Sequence, residues 1–142
     1  MKTTAKLFIL ALTISLASCS KSNDDNPSNT NNTGQVTGNW KVTYYFDSGK
    51  DETSDYNGYT FNFNTGNILE AVTGSATYTG TWTLGEPGDD DNSSNKFVIT
   101  ITGNKAMDDL TDDWKILKMT DTEIWLQDDN LTSAEELRFG KL

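Results

Sequence analysis

The stretch VTGNWKVTYYFD, residues 36–47, decides the fold that the sequence predicts. Every second residue in it is apolar, aromatic or glycine, which places one set of side chains on a single face of an extended strand. That face carries Val36, Gly38, Trp40, Val42, Tyr44 and Phe46. A half-buried β-strand with its aromatic face toward a core is therefore the first predicted element.

Seven further segments of the same kind follow, most of them separated by short turns. They are YTFNFN (59–64), ILEAVT (68–73), ATYTGTWTL (76–84), KFVITIT (96–102), WKILKMT (114–120), TEIWLQD (122–128) and EELRFGKL (135–142). A short helix capped by Asn104 is expected within residues 103–113. Eight strands in chain order with short connections predict an all-β domain, a small antiparallel up-and-down β-barrel, with a sandwich of similar strands as the structural alternative.

The amino-terminal segment has the pattern of a secretory signal peptide, with two lysines before an apolar run of 11 residues at 7–17. This run is too short to span a bilayer, which takes about 20 residues. Leu16, Ala17, Ser18 and Cys19 resemble the bacterial lipobox. In lipobox proteins the cysteine thiol receives a diacylglycerol that carries fatty acids such as palmitate, the chain is then cut before the cysteine, and the new amino terminus is often acylated as well. The resemblance implies that Cys19 is a lipid anchor, and as the single cysteine it leaves no intramolecular disulfide.

Three regions follow from this pattern: a lipoprotein signal peptide (1–18), a lipidated cysteine with a disordered tether (19–35) and a folded domain (36–142). The tether is rich in Asn, Ser, Thr and Asp and has no large apolar residue, so it cannot form a core. We expect an outer-membrane lipoprotein in the cell envelope, on either the periplasmic face or the cell surface.

The composition argues against an enzyme. The chain has no histidine and a single arginine, Arg138, and it has neither a glycine-rich phosphate loop nor a nucleophile elbow. Removal of residues 1–18 takes away Lys2 and Lys6, which leaves 9 basic against 21 acidic side chains and a net charge of −12. Such a chain repels nucleic acid. We expect a monomer without a cofactor.

Several motifs resemble the lipocalin-like domain of small bacterial lipoproteins. Gly38-Asn39-Trp40 is similar to the Gly-x-Trp signature near the first strand of lipocalins, and Arg138 lies in the last strand. The resemblance covers nearly all of residues 36–142 and implies a short lipocalin-type barrel closed at one end by Gly38, Trp40 and Arg138. If Leu137 and Phe139 face inward, alternation points Arg138 outward, so the sequence does not decide whether Arg138 contacts Trp40.

The domain holds 14 aromatic residues, which suggests two interpretations. In the first, a cup holds a small hydrophobic ligand; its lining residues would be Tyr44, Phe61, Tyr78, Trp82 and Phe97. In the second, the same rings fill a small barrel, and the protein is a structural or interaction module that contacts a protein or a glycan through exposed rings.

A long acidic loop offers weak calcium candidates. Asp89 and Asp91 alternate in the manner of calcium ligands, but the glycine and the bidentate glutamate of a calcium loop are missing from their expected positions. A solvated loop without metal is the default interpretation.

Overall fold

A computed structural model of the protein describes residues 33–85, 95–130 and 134–142. The strands within these ranges are β1 (Gly38–Asp47), β2 (Lys50–Asp51), β3 (Tyr59–Asn64), β4 (Ile68–Thr73), β5 (Ala76–Leu84), β6 (Lys96–Thr100), β7 (Asp112–Met119), β8 (Glu123–Asp128) and β9 (Glu136–Lys141). The helices there are α1 (Thr33–Val36), α2 (Lys105–Asp108) and a 3₁₀ helix (Thr53–Tyr56). None of these helices has the length and apolar character needed to cross a membrane.

The long strands form a closed antiparallel barrel. From β3 onward each strand pairs with the next along the chain, and β1 pairs with both β3 and β9. β2 is a two-residue arm paired with the end of β1. The prediction of an eight-stranded up-and-down barrel is confirmed, and closure leaves no long unpaired sheet edge.

The strands predicted from the alternating pattern agree closely with those observed. The helix expected in residues 103–113 is α2, and the Asn104 side chain accepts a hydrogen bond of 3.0 Å from the Met107 N–H, as an N-cap does. The sequence did not predict β2, the 3₁₀ helix or α1, because segments of two to four residues are too short to show a period. α1 begins the described part of the chain and includes three residues assigned to the tether.

A β-bulge in β1 changes which side chains face the core. Val42 pairs with Phe139, but the next pair along the ladder joins Tyr44 to Arg138, so β1 contains one extra residue. Beyond the bulge the alternation is inverted. Tyr45 is buried with 1% of its surface exposed, whereas Tyr44 lies on the outer face. The prediction that Tyr44 shares the inner face with Trp40 is therefore wrong.

Three tryptophans anchor the core to the backbone. Each is at most 1% exposed and donates its indole N–H to a main-chain carbonyl: Trp40 to Val36 at 2.7 Å, Trp82 to Asn64 at 3.1 Å and Trp114 to Leu110 at 3.1 Å. A buried indole N–H without an acceptor would be costly. These bonds fix α1, the β3–β4 turn and the segment after α2 against the barrel.

Gly80 marks the place where β5 passes closest to its neighbour. A Cβ atom there would lie 2.1 Å from the carbonyl oxygen of Thr100 and 2.8 Å from the Cα atom of Ile101. We expect Gly80→Ala to lower the free energy of unfolding by about 2 kcal/mol or more, because the backbone must move to admit the methyl group. Urea denaturation measures this loss.

Gly74→Ala is the matched control for that substitution. Gly74 lies in the turn between β4 and β5, and a Cβ atom there would meet nothing within 4 Å. We expect its stability to stay within about 0.5 kcal/mol of the parent. Equal losses in the two variants would contradict the close approach at Gly80.

Candidate functional site

The interior of the barrel is filled by side chains from all eight long strands. The side chains at its centre have 0–1% of their surface exposed, so they are packed against one another. Phe63 lies among three other rings, with centroid distances of 5.8 Å to Trp82, 5.4 Å to Phe97 and 5.5 Å to Phe139. The described centre of the barrel is thus a packed hydrophobic core.

The five residues predicted to line a ligand cup do not form one. Phe61, Trp82 and Phe97 do face inward, but they are packed into the core. Tyr78 is half-buried and its ring lies 6.3 Å from that of Tyr59. Tyr44 is outside the barrel because of the bulge in β1. The structure therefore brings three of the five together, as core residues.

Two short elements cover one end of the barrel, the mouth at which β6 ends and β7 begins. The 3₁₀ helix inserts Tyr56, which is 3% exposed, and α2 with the residue pair after it inserts Met107 and Leu110. The Tyr45 hydroxyl donates to the carbonyl of Asp109 at 3.2 Å. Burial raises the pKa of both Tyr45 and Tyr56, so the two phenols are neutral.

Polar contacts hold these two covering elements in place. The Asn104 amide donates to the Tyr59 hydroxyl at 3.0 Å. Lys105 after β6 forms an ion pair of 3.4 Å with Glu52 next to the 3₁₀ helix. The Tyr56 hydroxyl is buried with no hydrogen-bond partner among the described residues.

The opposite end is closed by a lysine and not by the arginine that the lipocalin resemblance implied. The Lys141 ammonium lies 4.9 Å from the centroid of the Trp40 ring. It also donates to the carbonyls of Gln35 and Thr37 at 3.4 and 3.2 Å. Gly38, with φ of +131°, leaves room for this side chain, since a Cβ atom there would be 3.1 Å from Lys141 Cε. The implied pairing of Arg138 with Trp40 is wrong.

Arg138 belongs instead to a row of side chains on the outer surface, which we call the outer ladder: Tyr44 (β1), Arg138 (β9), Trp125 (β8) and Lys118 (β7). These four residues are direct cross-strand neighbours. The Arg138 guanidinium carbon lies 4.8 Å from the Tyr44 ring centroid and 4.4 Å from that of Trp125. The Lys118 ammonium lies 4.5 Å from the Trp125 ring. Cations and aromatic rings therefore alternate across four strands.

The outer ladder is locally neutral and held in one geometry. Arg138 pairs with Glu136 through two donors, at 2.5 and 2.7 Å, and Lys118 pairs with Glu123 at 2.6 Å. Phe46 extends the ladder beside Tyr44, with ring centroids 6.3 Å apart and planes within 6° of parallel. Each side chain of the ladder is thus restrained by a ring, a charge or both.

Carboxylates gather at the mouth in a group that we call the rim cluster: Asp47, Asp112, Asp128 and Glu135. Carboxylate oxygens of Asp112, Asp128 and Glu135 lie within 4.8 Å of one another. Burial, the charge and hydrogen bond of Asp47, and the charges of Asp128 and Asp112 raise the pKa of Glu135 to about 7. Groups of acidic side chains are common in proteins without a bound ion, so the cluster is not assigned as a metal site.

The calcium candidates predicted from the sequence, Asp89 and Asp91, lie outside the described residues, as does Cys19. Among the described residues, a small open hollow of about 210 Å³ lies on the barrel surface, lined by Asn95, Lys96, Lys115 and Asp129. Lys96 forms ion pairs with Asp113 at 2.6 Å and with Asp129 at 3.2 Å. Its ammonium is therefore engaged in the surface charge network.

Sequence reasoning missed Lys141, the outer ladder and the rim cluster for different reasons. Lys141 lies two residues beyond Phe139 in the last predicted strand, and this spacing was a usable signal that the two side chains share the inner face. The ladder depends on a bulge that alternation cannot show. The rim cluster joins residues 47, 112, 128 and 135, which only the closure of the barrel brings together.

Two solved structures resemble this fold. A lipocalin-like protein from Bacteroides uniformis superposes with a TM-score of 0.55 at 16% identity, covering 77% of this chain and 100% of that one. A DUF4847 family protein from Bacteroides vulgatus superposes with a TM-score of 0.55 at 11% identity, covering 78% of this chain and 96% of that one. The chain matches no protein-family model and no curated protein. The similarity confirms a lipocalin-like fold.

Replacement of Lys141 by methionine tests the closed end of the barrel. Lys141→Met keeps the length of the apolar stem but removes the cation from the Trp40 ring and the donor from two carbonyls. We expect the free energy of unfolding to fall by about 1–2 kcal/mol, as measured by urea denaturation. Lys41→Met, at an exposed position of β1, should change it little. A Lys141 variant as stable as the control would show that the contact with Trp40 contributes nothing.

Proposed function

We propose that this protein is a non-catalytic binding module of the bacterial envelope, held to the outer membrane by a lipid on Cys19 and contacting a protein partner through the outer ladder. One observation carries the proposal: the barrel interior is packed with the chain's own side chains, while aromatic and basic groups are grouped outside. A filled barrel favours recognition by its surface over transport inside it.

The residue types of the outer ladder favour a protein surface as the partner. Tryptophan, tyrosine and arginine are the residues that most often dominate the binding energy of protein interfaces. Here Arg138 and Trp125 are already held by neighbours, so binding would cost little side-chain entropy.

The same stacking argues against a glycan. A sugar ring binds by lying on the face of an aromatic ring. Trp125 has Arg138 from β9 on one side and Lys118 from β7 on the other. Both faces of the Trp125 ring are therefore occupied. A partner would contact the exposed edges of the side chains in the outer ladder.

The net charge of the chain favours one kind of partner surface over others. Without residues 1–18 the chain has a net charge of −12, while the ladder itself is balanced by Glu136 and Glu123. Opposite charge at the rim of an interface speeds association. We therefore propose a partner whose contact surface is apolar at its centre and basic around it.

The anchor is proposed from the sequence at Cys19. Two or more acyl chains hold a protein firmly on a bilayer, whereas one gives only reversible binding. A tether of about 16 residues after the cysteine would span roughly 20 Å on average. The domain could then reach partners next to the membrane, on its periplasmic or its outer face.

A second candidate function is the binding of a small hydrophobic ligand, as the lipocalin-like fold suggests. The observation that favours it is the construction of the mouth. Its covers are two single-turn elements joined by few polar contacts, among them the Lys105–Glu52 ion pair and the Asn104–Tyr59 hydrogen bond. The buried Tyr56 hydroxyl beneath them has no partner among the described residues. A ligand would have to displace these covers and repack the core.

Replacement of Cys19 tests the anchor. We expect Cys19→Ala to abolish labelling with tritiated palmitate in the producing cells and to move the protein from the membrane to the soluble fraction, because no acyl chain can be attached. Ser20→Ala, one residue away, should keep both label and location. A Cys19→Ala protein that still sediments with membranes would refute the anchor.

Replacement of Trp125 tests the outer ladder. Tagged domains carrying Trp125→Ala or Ile68→Ala are compared with the parent in capturing proteins from detergent-solubilised envelopes of the producing bacterium. Ile68 is an exposed apolar residue of β4 and serves as the control. We expect one defined protein to be retained by the parent and by Ile68→Ala and to be lost by at least tenfold with Trp125→Ala, as an interface hot spot predicts.

Two further measurements distinguish the alternatives. Slower migration of the parent domain through native gels that contain neutral polysaccharide, abolished by Trp125→Ala, would show a glycan partner instead. Saturable binding of a fluorescent fatty acid that is unaffected by Trp125→Ala would favour the second candidate function. Thermal melts of each variant confirm that loss of binding is not loss of folding.

A further inference from the structure

The rim cluster joins the ends of four adjacent strands. Asp47 is the last residue of β1, Asp112 the first of β7 and Asp128 the last of β8. Glu135 directly precedes β9. Since β7, β8, β9 and β1 are consecutive around the barrel, closure forces these four carboxyl groups onto one segment of the mouth.

The carboxyl groups of the rim cluster are close enough for their negative charges to repel one another. Oxygens of Asp112, Asp128 and Glu135 lie within 4.8 Å of one another, and Asp47 is a further acidic group that raises the pKa of Glu135. Asp128 is only 8% exposed. A proton on one of these carboxyl groups removes a negative charge from the cluster and supplies a donor to its neighbours, because two carboxylates are both acceptors.

The titratable groups around Glu135 lie on the neighbouring strands of the barrel. Asp47 and the buried Tyr45 lie on β1, Asp112 on β7 and Asp128 on β8. Lys96 on β6 is bonded to Asp113 and Asp129 on the outer surface. The charges that act on Glu135 from the other three cluster members are all negative, and burial adds to their effect in raising its pKa to about 7.

One backbone hydrogen bond links the cluster to the β8–β9 connection. The Asp128 N–H donates to the Glu135 carbonyl at 3.1 Å, and this bond lies just beyond the last side-by-side pair of β8 and β9, Gln127 with Glu136. The amide of Asp128 therefore reports whether the start of β9 is fastened to the end of β8.

We propose that the rim cluster is a proton-operated latch, in which a shared proton fastens the start of β9 to the ends of β1 and β8, and its release loosens this segment of the mouth. Loss of the proton leaves adjacent carboxylates that repel one another across the β1–β9 and β8–β9 seams. The protein thereby couples the order of its mouth to the pH of its surroundings.

The sign of the effect on stability follows from the direction of the shift. A glutamate is half-ionised near pH 4.5 in an unfolded chain, whereas Glu135 is half-ionised at about 7 in the folded protein. Between these two pH values the folded state binds more protons than the unfolded state. The contribution of Glu135 to the free energy of unfolding is therefore greatest near and below pH 4.5, and it declines as the pH rises to about 7. Above that pH no further loss from Glu135 is expected.

The experiment compares the parent with Glu135→Gln and Asp121→Asn in buffers containing EDTA at pH 5 and pH 8. Glutamine keeps a neutral hydrogen-bonding side chain at every pH. Asp121 lies in the exposed β7–β8 turn at the other end of the barrel, so its substitution removes an equal charge away from the cluster. Carbon-13 NMR follows the carboxyl carbons, and hydrogen exchange measures the protection factor of the Asp128 amide.

We expect a glutamate of the parent to titrate near pH 7, and this titration to be missing from Glu135→Gln. The protection factor of the Asp128 amide should fall at least tenfold between pH 5 and pH 8 in the parent and in Asp121→Asn, and by less than twofold in Glu135→Gln. A pH-independent protection factor in the parent, or an equal fall in Glu135→Gln, would overturn the latch.

A last arm replaces EDTA with calcium chloride at pH 8. If the cluster is a proton latch, the protection factor of the Asp128 amide at pH 8 should be as low with calcium chloride as it is with EDTA. If calcium restores its protection in the parent and not in Glu135→Gln, the cluster is a cation site and the proton latch is refuted.

Discussion

The pairing of β1 with β9 is the constraint on which the rest of the structure depends. It turns an eight-stranded meander into a closed barrel, and it does so through a bulge near Thr43 that shifts the register between Val42 and Tyr44. A bulge bends and twists its strand, which lets β1 curve from one neighbour to the other. The same residue-long insertion sends Tyr45 into the core and Tyr44 to the surface. Closure, core and outer ladder therefore share one cause.

Closure also explains why the interior is solid. Eight strands enclose a space just wide enough for their own side chains or one small ligand. This chain fills that space with large rings, with Phe63 in contact with three of them, and covers the mouth with Tyr56, Met107 and Leu110. Its lipocalin-like neighbours share the backbone arrangement at 16% and 11% identity. In a barrel of this size the side chains of each chain decide whether any space remains inside.

The sequence predicted the barrel well because strands of five to ten residues repeat a pattern of period two many times over. The cap of α2 by Asn104 was predictable for a similar reason, since an N-cap depends on neighbours three residues away. Tyr44 was placed on the wrong face because a bulge adds one residue with no local signature. Lys141 and not Arg138 covers Trp40 because alternation through Leu137 and Phe139 holds Arg138 outside and places Lys141 on the inner side, directly opposite Trp40.

The rim cluster was beyond sequence reasoning altogether. Asp47 and Glu135 are 88 residues apart, and their meeting requires the complete ring of strands. Contacts between residues that meet only when the barrel closes cannot be predicted from local sequence patterns. Here they concern the mouth, the part of the fold whose covering elements are shortest.

The arrangement of the four tryptophans gives the protein a built-in optical sensor. Trp40, Trp82 and Trp114 are sealed in the core with their indole N–H groups bonded to backbone carbonyls, so their emission belongs to the folded interior. Trp125 alone lies on the outer face, between two cations that any partner of that face must approach. A partner that contacts the outer face would thus change the surroundings of Trp125 and leave the three buried rings as they are.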